Sequence, residues 1–364
     1  MMIKAGVYVH IPFCLQKCAY CDFLSHPPKL GEIDNYLEAL QLEIKRFKVQ
    51  GSTLFIGGGT PSVVPPSSLA KLIRVLHQAY GPFSEVTVEV NPGTVDGDYL
   101  KILKDQGVNR LSVGVQSFND HSLQAMGRIH SAKEAHDTII NAAKVGFTNI
   151  SLDLIYGYPG MDLKEVEKTL QVAVSLPVTH ISYYGLQIEP GTPIYGKNLS
   201  WVTDDDYVKM YLRGIEILES HRFKQYEVSN FALEGNESKH NLIYWHNEEY
   251  LGLGVGAVSR LGHIRYRNVD TVPEYINSLK KSQKIITLEE ELTPELLLEE
   301  NIMLGLRLRE GIGPEKLFGK TLAELYPEVV KELLDLGLLE KEGAHYRITR
   351  DAIPIMNTIL SKFF

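Results

Sequence analysis

The run His10-Ile-Pro-Phe-Cys-Leu-Gln-Lys-Cys-Ala-Tyr-Cys-Asp-Phe23 holds all three cysteines of this 364-residue chain, Cys14, Cys18 and Cys21. Thiolates spaced C-x3-C-x2-C on one tight loop can each bind one iron of a [4Fe-4S] cubane, leaving the fourth iron open to an outside ligand. The competing reading is a structural zinc ion, with His10, Asp22 or His26 completing a tetrahedral set. A disulfide is not expected from an odd number of cysteines in a chain whose first residues show no apolar signal region, so the thiols read as reduced and metal-binding.

Working outward from this loop, short β-branched runs alternate with helical patterns from residue 7 to about 190. The strands read as Val7–Ile11, Thr53–Ile56, Val86–Val90, Arg110–Val115, Asn149–Ile155 and His180–Gln187, with an amphipathic helix at Asp34–Lys48 among the intervening segments. Such alternation forces parallel strands joined by right-handed crossovers. It does not choose between an open sheet and one that curls toward a barrel.

Past residue 230 the texture changes to Leu233-Glu-Gly-Asn-Glu-Ser-Lys239 and then Leu251-Gly-Leu-Gly-Val-Gly-Ala257. The alternating glycines do not mark a dinucleotide site, because no βαβ unit follows with an acidic residue at the required distance; close backbone packing is the better reading. From Thr293 to Phe364 helices lead to a hairpin at Leu338–Thr349 and a last helix, a winged-helix-like order. That region holds nine Lys/Arg against twelve Asp/Glu, a balance of −3, so packing or docking is expected rather than DNA binding. We therefore divide the chain at 1–230, 231–292 and 293–364.

A hydrophobic content of 44% and a formal charge of −8 describe an ordinary globular chain with no basic excess to attract nucleic acid. No stretch reaches the ~20 apolar residues of a membrane span. The expected location is cytoplasmic.

Two further patterns carry chemistry. Gly57-Gly-Gly-Thr-Pro61 follows the second strand and lacks the lysine of a phosphate loop. Its glycines either let a ligand approach the backbone or make a tight βα turn. Glu89, Gln116 and Asp153 fall at strand ends, where carboxylates suit ribose hydroxyls; taken singly, each reads equally well as a cap or a surface group.

On the cysteine spacing, the aromatic Tyr20 before the last cysteine and the glycine motif, the chain resembles the radical S-adenosylmethionine (SAM) superfamily. The resemblance implies a partial (β/α)6 barrel with the cysteine loop after the first strand, and SAM on the open iron. Within that superfamily, nearly the whole chain is similar to the branch of the oxygen-independent coproporphyrinogen III oxidases and their heme-chaperone paralogues. This implies Tyr8 beside SAM, Tyr20 near the cluster, Gly58, Gly59 and Thr60 at the methionyl end, Glu89 on a ribose, and Gln116, Arg128 and Asp153 around the cofactor. Alone, Arg128 in Met126-Gly-Arg-Ile-His130 would read as well as a surface salt bridge as it does as a cofactor residue.

Two features separate the paralogues. The oxidase resemblance calls for a further cysteine where this chain has Phe23, and for a longer arm than the thirteen residues before Cys14. The chaperone resemblance calls for His-Asn-x-x-Tyr-Trp, which is present as His240-Asn-Leu-Ile-Tyr-Trp245. His240 can ligate heme iron, and Tyr244 and Trp245 offer flat faces to a porphyrin; the plainer reading is a core histidine beside two packing aromatics, with His246 a second candidate. The resemblance implies heme carriage to an acceptor protein, with transient contact to a membrane protein allowed. The alternative is oxidative decarboxylation of coproporphyrinogen III.

Overall fold

The computed structural model describes residues 2–364. Strands and helices alternate as β1 (Ile3–Ile11), α1 (Glu32–Ile44), β2 (Val49–Gly58), α2 (Pro66–Tyr80), β3 (Glu85–Val90) and α3 (Gly97–Asp105). The pattern continues with β4 (Arg110–Gln116), α4 (Asp120–Ala125), α5 (Ala132–Val145), β5 (Ile150–Tyr156), α6 (Leu163–Ser175), β6 (His180–Gly185) and α7 (Asp204–Ser220). β1 to β6 pair in order and in parallel. Helix starts are set by local chemistry: Ser131 and Glu134 form a reciprocal capping box on α5, and Asp162 and Thr203 cap α6 and α7.

The six expected strands are all present, with shifted ends. β2 extends past Ile56 because Gly57 and Gly58 keep pairing with His10 and Ile11, which needs only backbone. α1 ends before Lys48 because β2 already begins at Val49. β6 ends at Gly185, with one last ladder bond from Leu186 N to Tyr156 O at 2.9 Å.

The stretch 231–292, read as the connection that carries the His240 motif, also adds strands to the sheet, and the additions begin just before it. β7 (Lys224–Gln225) and β8 (Asn230–Ala232) add antiparallel strands beside β6. A short helix α8 (Lys239–Trp245) follows, and β9 (Tyr250–Leu253) then inserts parallel to β1 on its free side. β10 (Val258–Leu261), β11 (Ile264–Asn268), α9 (Val272–Lys280) and β12 (Ile286–Glu291) complete the region, the three strands running antiparallel. The result among the described residues is one mixed sheet of order β12-β11-β10-β9-β1-β2-β3-β4-β5-β6-β8-β7, with two free edges and no closure into a full barrel. As expected for the glycines at 252–256, a Cβ at Gly252 would sit 2.1 Å from Val258 O, and at Gly254 2.8 Å from His10 O.

The C-terminal part carries α10 (Pro294–Gly305), α11 (Leu322–Leu325), α12 (Pro327–Asp335), the antiparallel pair β13 (Leu339–Glu342) and β14 (His345–Ile348), and α13 (Met356–Leu360). It is helices with a small sheet, as expected. No helix among the described residues is long and apolar enough to cross a membrane.

One buried acid stitches β9 and β11 onto α1. Glu43 accepts hydrogen bonds from Gly254 N and Asn268 Nδ2, both at 2.7 Å, and from the Tyr275 hydroxyl. Burial, opposed by those donors, raises its carboxyl from about 4.5 to about 7. A raised folded value means that its stabilising effect is fully present below about pH 4.5 and is lost as pH climbs through about 7. Glu43→Gln should therefore remove about 3 kcal/mol of pH dependence across that window, read as the difference between wild-type and variant urea-unfolding free energies at successive pH values. Parallel pH profiles would show that the carboxyl does not titrate there.

Candidate functional site

The loop from Pro12 to Gly31 is held by backbone before any metal is considered. Cys14 N donates to His26 O at 3.1 Å and His26 N to Pro12 O at 3.0 Å, with the buried Phe13 ring edge-on to Tyr36 beneath. Across the site, Ala19 N donates to Met126 O at 3.0 Å and Gln16 Nε2 to Gly127 O at 3.1 Å. The three thiols are free, Cys14 buried and the others half-buried, and all face one cavity of about 910 Å³. Burial pushes the thiols of Cys14 and Cys21 up, so each would stay protonated until a cation took the proton's place.

Of the candidate fourth ligands for zinc, Asp22 lines the cavity and the two histidines bond elsewhere. His10 is held by Leu24 O at 2.8 Å and the Tyr8 hydroxyl at 3.0 Å, and His26 faces Glu32 at 3.3 Å. Among the described residues no three His, Cys, Asp or Glu donors converge on a point a single ion could occupy. A cubane makes a different demand, since each thiolate takes its own iron and the sulfurs need only surround the cluster.

The glycine motif is welded to the cysteine loop. Gly59 N donates to Ile11 O at 2.8 Å and Thr60 N to Phe13 O at 2.7 Å. Gly58 has φ +114°, and a Cβ on Gly59 would stand 2.6 Å from Phe13 O, so both positions need glycine. Glu89 Oε2 accepts from Gly58 N at 3.1 Å; burial first, and Asp153 nearby second, raise the Glu89 carboxyl to about 8. Asp153 takes Ser112 Oγ at 3.3 Å and is likewise raised by burial. Gln116 ends β4 at φ +68°, a strained conformation for a residue with a side chain. Arg128 reaches Cys18 Sγ at 3.6 Å, Asn91 Oδ1 at 2.8 Å and Gly114 O at 2.6 Å, so it is a cavity residue and not a surface ion pair. With Tyr8 and Tyr20, every SAM-site residue expected from the sequence lines this one cavity.

The far end of the cavity is closed by α8. Glu85 Oε1 and Oε2 accept from His240 N at 3.0 Å and Lys239 N at 3.1 Å, satisfying the helix N-terminus. This points the His240 ring into the lumen, stacked 5.2 Å from Phe55, with Nδ1 on Thr53 Oγ1 at 2.8 Å and Nε2 on the Tyr244 hydroxyl at 2.9 Å. Burial, with the Arg110 charge second, lowers its pKa to about 3, so the ring is neutral. Both ring nitrogens are engaged, and ligation through Nε2 requires Tyr244 to release it. His246 instead pairs with Glu310 at 2.7 Å, outside the cavity. Trp245 does not line the cavity; Tyr244 does.

Sequence reading missed Asn91, which bridges Thr60 Oγ1 at 2.8 Å to Arg128, and the lumen residues Arg110, Ser112, Ser182 and Tyr184. A signal was available: Arg110, Ser112, Gly114 and Gln116 alternate with Leu111, Val113 and Val115, which puts a polar row on one face of β4.

A radical SAM superfamily model matches residues 8–173, and a HemN C-terminal domain model matches residues 292–355. The fold is similar to that of coproporphyrinogen III oxidase (HemN) from Escherichia coli, a radical SAM enzyme, with a TM-score of 0.87 over 100% of this chain and 90% of that one; at 22% identity this likeness speaks for the fold alone. Fold and site thus define a radical SAM-fold protein. The sequence is 38% identical over 373 residues to the heme chaperone HemW of Bacillus subtilis, covering 98% of each chain. It is 36% identical to that of Lactococcus lactis, over 98% of this chain and 97% of the relative, and 39% identical to that of Escherichia coli, over 69% of each. The chain belongs to the heme chaperone HemW family.

The weld between the glycine motif and the cysteine loop is testable. Gly59→Ala should cost about 2 kcal/mol through the Cβ clash with Phe13 O and lower the iron retained after anaerobic reconstitution. Unchanged iron content and melting temperature would show that the loop does not depend on this contact.

Proposed function

We propose that this protein binds heme and hands it to an acceptor protein, holding a [4Fe-4S] cluster on Cys14, Cys18 and Cys21 and SAM between that cluster and Glu89, Gln116, Arg128 and Asp153. The observation that carries the reading is that the helix bearing His-Asn-x-x-Tyr-Trp closes the same cavity into which the three thiols face. Membership in a family of heme chaperones supports the cargo, and the superfamily match supports cluster and SAM. Phe23, 59% exposed where the oxidase resemblance asks for a cysteine, weighs against decarboxylation.

The residues suit these groups. The thiols of Cys14 and Cys21, raised by burial, would give up their protons to metal, and Arg128 beside Cys18 Sγ offers an N–H to a sulfur ligand. The Gly58–Thr60 turn leaves room for a methionyl group, and protonated Glu89 beside Asp153 offers both a donor and an acceptor to ribose hydroxyls. When bound, the cluster supplies electrons to the SAM sulfonium. His240 is kept neutral, the form in which an imidazole ligates iron. Thr53 fixes the ring orientation through Nδ1, and the Tyr244 hydroxyl occupies the ligating nitrogen until cargo arrives.

Heme titration followed at the Soret band should show His240→Ala weakening binding ~10-fold with a shifted band, whereas Tyr244→Phe, which frees Nε2, should bind at least as tightly as wild type. An unchanged band in His240→Ala would remove that residue as ligand. Cluster and SAM are proposed to gate delivery, so Cys14→Ala should contain little iron or labile sulfide and fail to transfer heme to an apo-acceptor; wild-type transfer by that variant rejects gating. Formation of protoporphyrinogen from coproporphyrinogen III under anaerobic reduction with SAM would overturn the carrier reading itself.

A further inference from the structure

Arg110 is a lumen group that neither the cofactor site nor the heme motif uses. It opens β4 on the same face as Ser112, Gly114 and Gln116, lines the cavity, and is 1% exposed. A guanidinium cannot shed its proton and presents only donors. Here Nε has no hydrogen-bond partner, and among the described residues no carboxylate oxygen comes within 4.0 Å of the group. The other lumen arginine, Arg128, is by contrast fastened to Asn91 Oδ1 and Gly114 O. A buried donor without an acceptor leaves a demand for one. The Arg110 charge acts on Glu89 and Asp153 across the lumen, but neither carboxylate comes within 4.0 Å of the guanidinium, so neither supplies the missing acceptor.

Position distinguishes the ligands that could fill this gap. Arg110 lies six residues from Gln116 along β4, about 20 Å at ~3.3 Å per residue, toward the end that α8 closes. A SAM molecule held by its methionyl end at Gly58–Thr60 keeps its carboxylate at the opposite end of the lumen. His240 is near enough for the Arg110 charge to act on its titration, and Asn241, the next residue, also faces the cavity. A porphyrin ligated at His240 would extend its carboxylate side chains across this floor.

We propose that Arg110 anchors a carboxylate subsite at the α8 end of the cavity and that its occupant is a heme propionate. This rests on the heme reading above, and the same guanidinium chemistry would serve the SAM carboxylate, so the test has an arm for each source. Full-length reconstituted protein is titrated with heme, with heme dimethyl ester and with SAM. Arg110→Gln should weaken heme ~10-fold, Arg110→Lys should recover part of that loss, and wild type should bind the ester no better than Arg110→Gln binds heme. SAM binding by equilibrium dialysis should be unchanged in Arg110→Gln. Equal affinity of wild type for heme and its ester would overturn the propionate assignment, and it can be measured even if the variants do not fold. A loss confined to the SAM arm would keep the subsite and overturn heme as its occupant; a purely structural arginine would lower the melting temperature and leave both arms unmoved. Wild type with no Soret response would refute the heme reading itself, leaving the SAM arm to decide whether Arg110 holds a carboxylate.

Discussion

The polarity of the lumen governs this structure. A parallel sheet with helices packed on it ordinarily buries apolar side chains on both faces. Here the outer face obeys that rule, with Val86, Val88, Leu111, Val113, Leu152 and Leu154 all in the core, while the inner face carries Thr87, Glu89, Arg110, Ser112 and Asp153. Side chains of that kind cannot collapse into a filled barrel of the sort built by layers of Val, Ile and Leu. They keep a space open and impose a demand for partners on whatever closes it. Burial makes the demand strong, because an unpaired polar group inside costs far more than the hydrogen bond it would make is worth.

That demand explains why so many contacts inside the sheet are polar and long-range in sequence. Asn91 joins the glycine motif to Arg128, and Arg128 joins β4 to Cys18, so strand ends, motif and cysteine loop form one network. The Gly59 and Thr60 amides fix the spacing between that network and β1. Because these bonds use backbone, they position the cysteines without depending on which side chains the loop carries. The fold thus contributes to holding the loop with its three thiols toward the cavity.

How much of this was legible in sequence follows from the range of each signal. The six central strands were readable because each is a run of β-branched residues whose pattern is local, and the cysteine and glycine motifs were readable because spacing within a loop is local too. β9 was not, since a four-residue strand of sequence Tyr-Leu-Gly-Leu has no pattern of its own and exists because β1 offers it a free edge. Glu43 reads in sequence as one more polar residue on α1, and only the return of Gly254, Asn268 and Tyr275 explains its burial. Arg110 hid for a related reason. Alternation put it on a polar face, but whether that face meets solvent or a lumen is decided by the curl of the whole sheet. The partners of His10 and His26 were hidden for the same reason, since the Leu24 carbonyl and Glu32 reach them only through the way the loop folds back.

α8 links the C-terminal domain to the wall of a cavity that the domain itself does not line. A helix of seven residues is well below the ~12–15 at which isolated helices become even marginally stable, so its existence depends on what holds its ends. Glu85 and the Ser238 cap hold the first. The other end turns at Asn247, φ +51°, with Glu248 N returning to Ile243 O at 2.9 Å, a left-handed cap that satisfies the last carbonyls. Onto that turn the C-terminal domain lays Lys316 Nζ, 2.6 Å from His246 O, and Asn301 Oδ1, 3.0 Å from Asn247 Nδ2. Tyr244, whose hydroxyl occupies His240 Nε2, lies within the last turn that these contacts fix. The domain thus braces the end of the helix that carries Tyr244, through a backbone carbonyl and a cap, at a distance from the His240 ring.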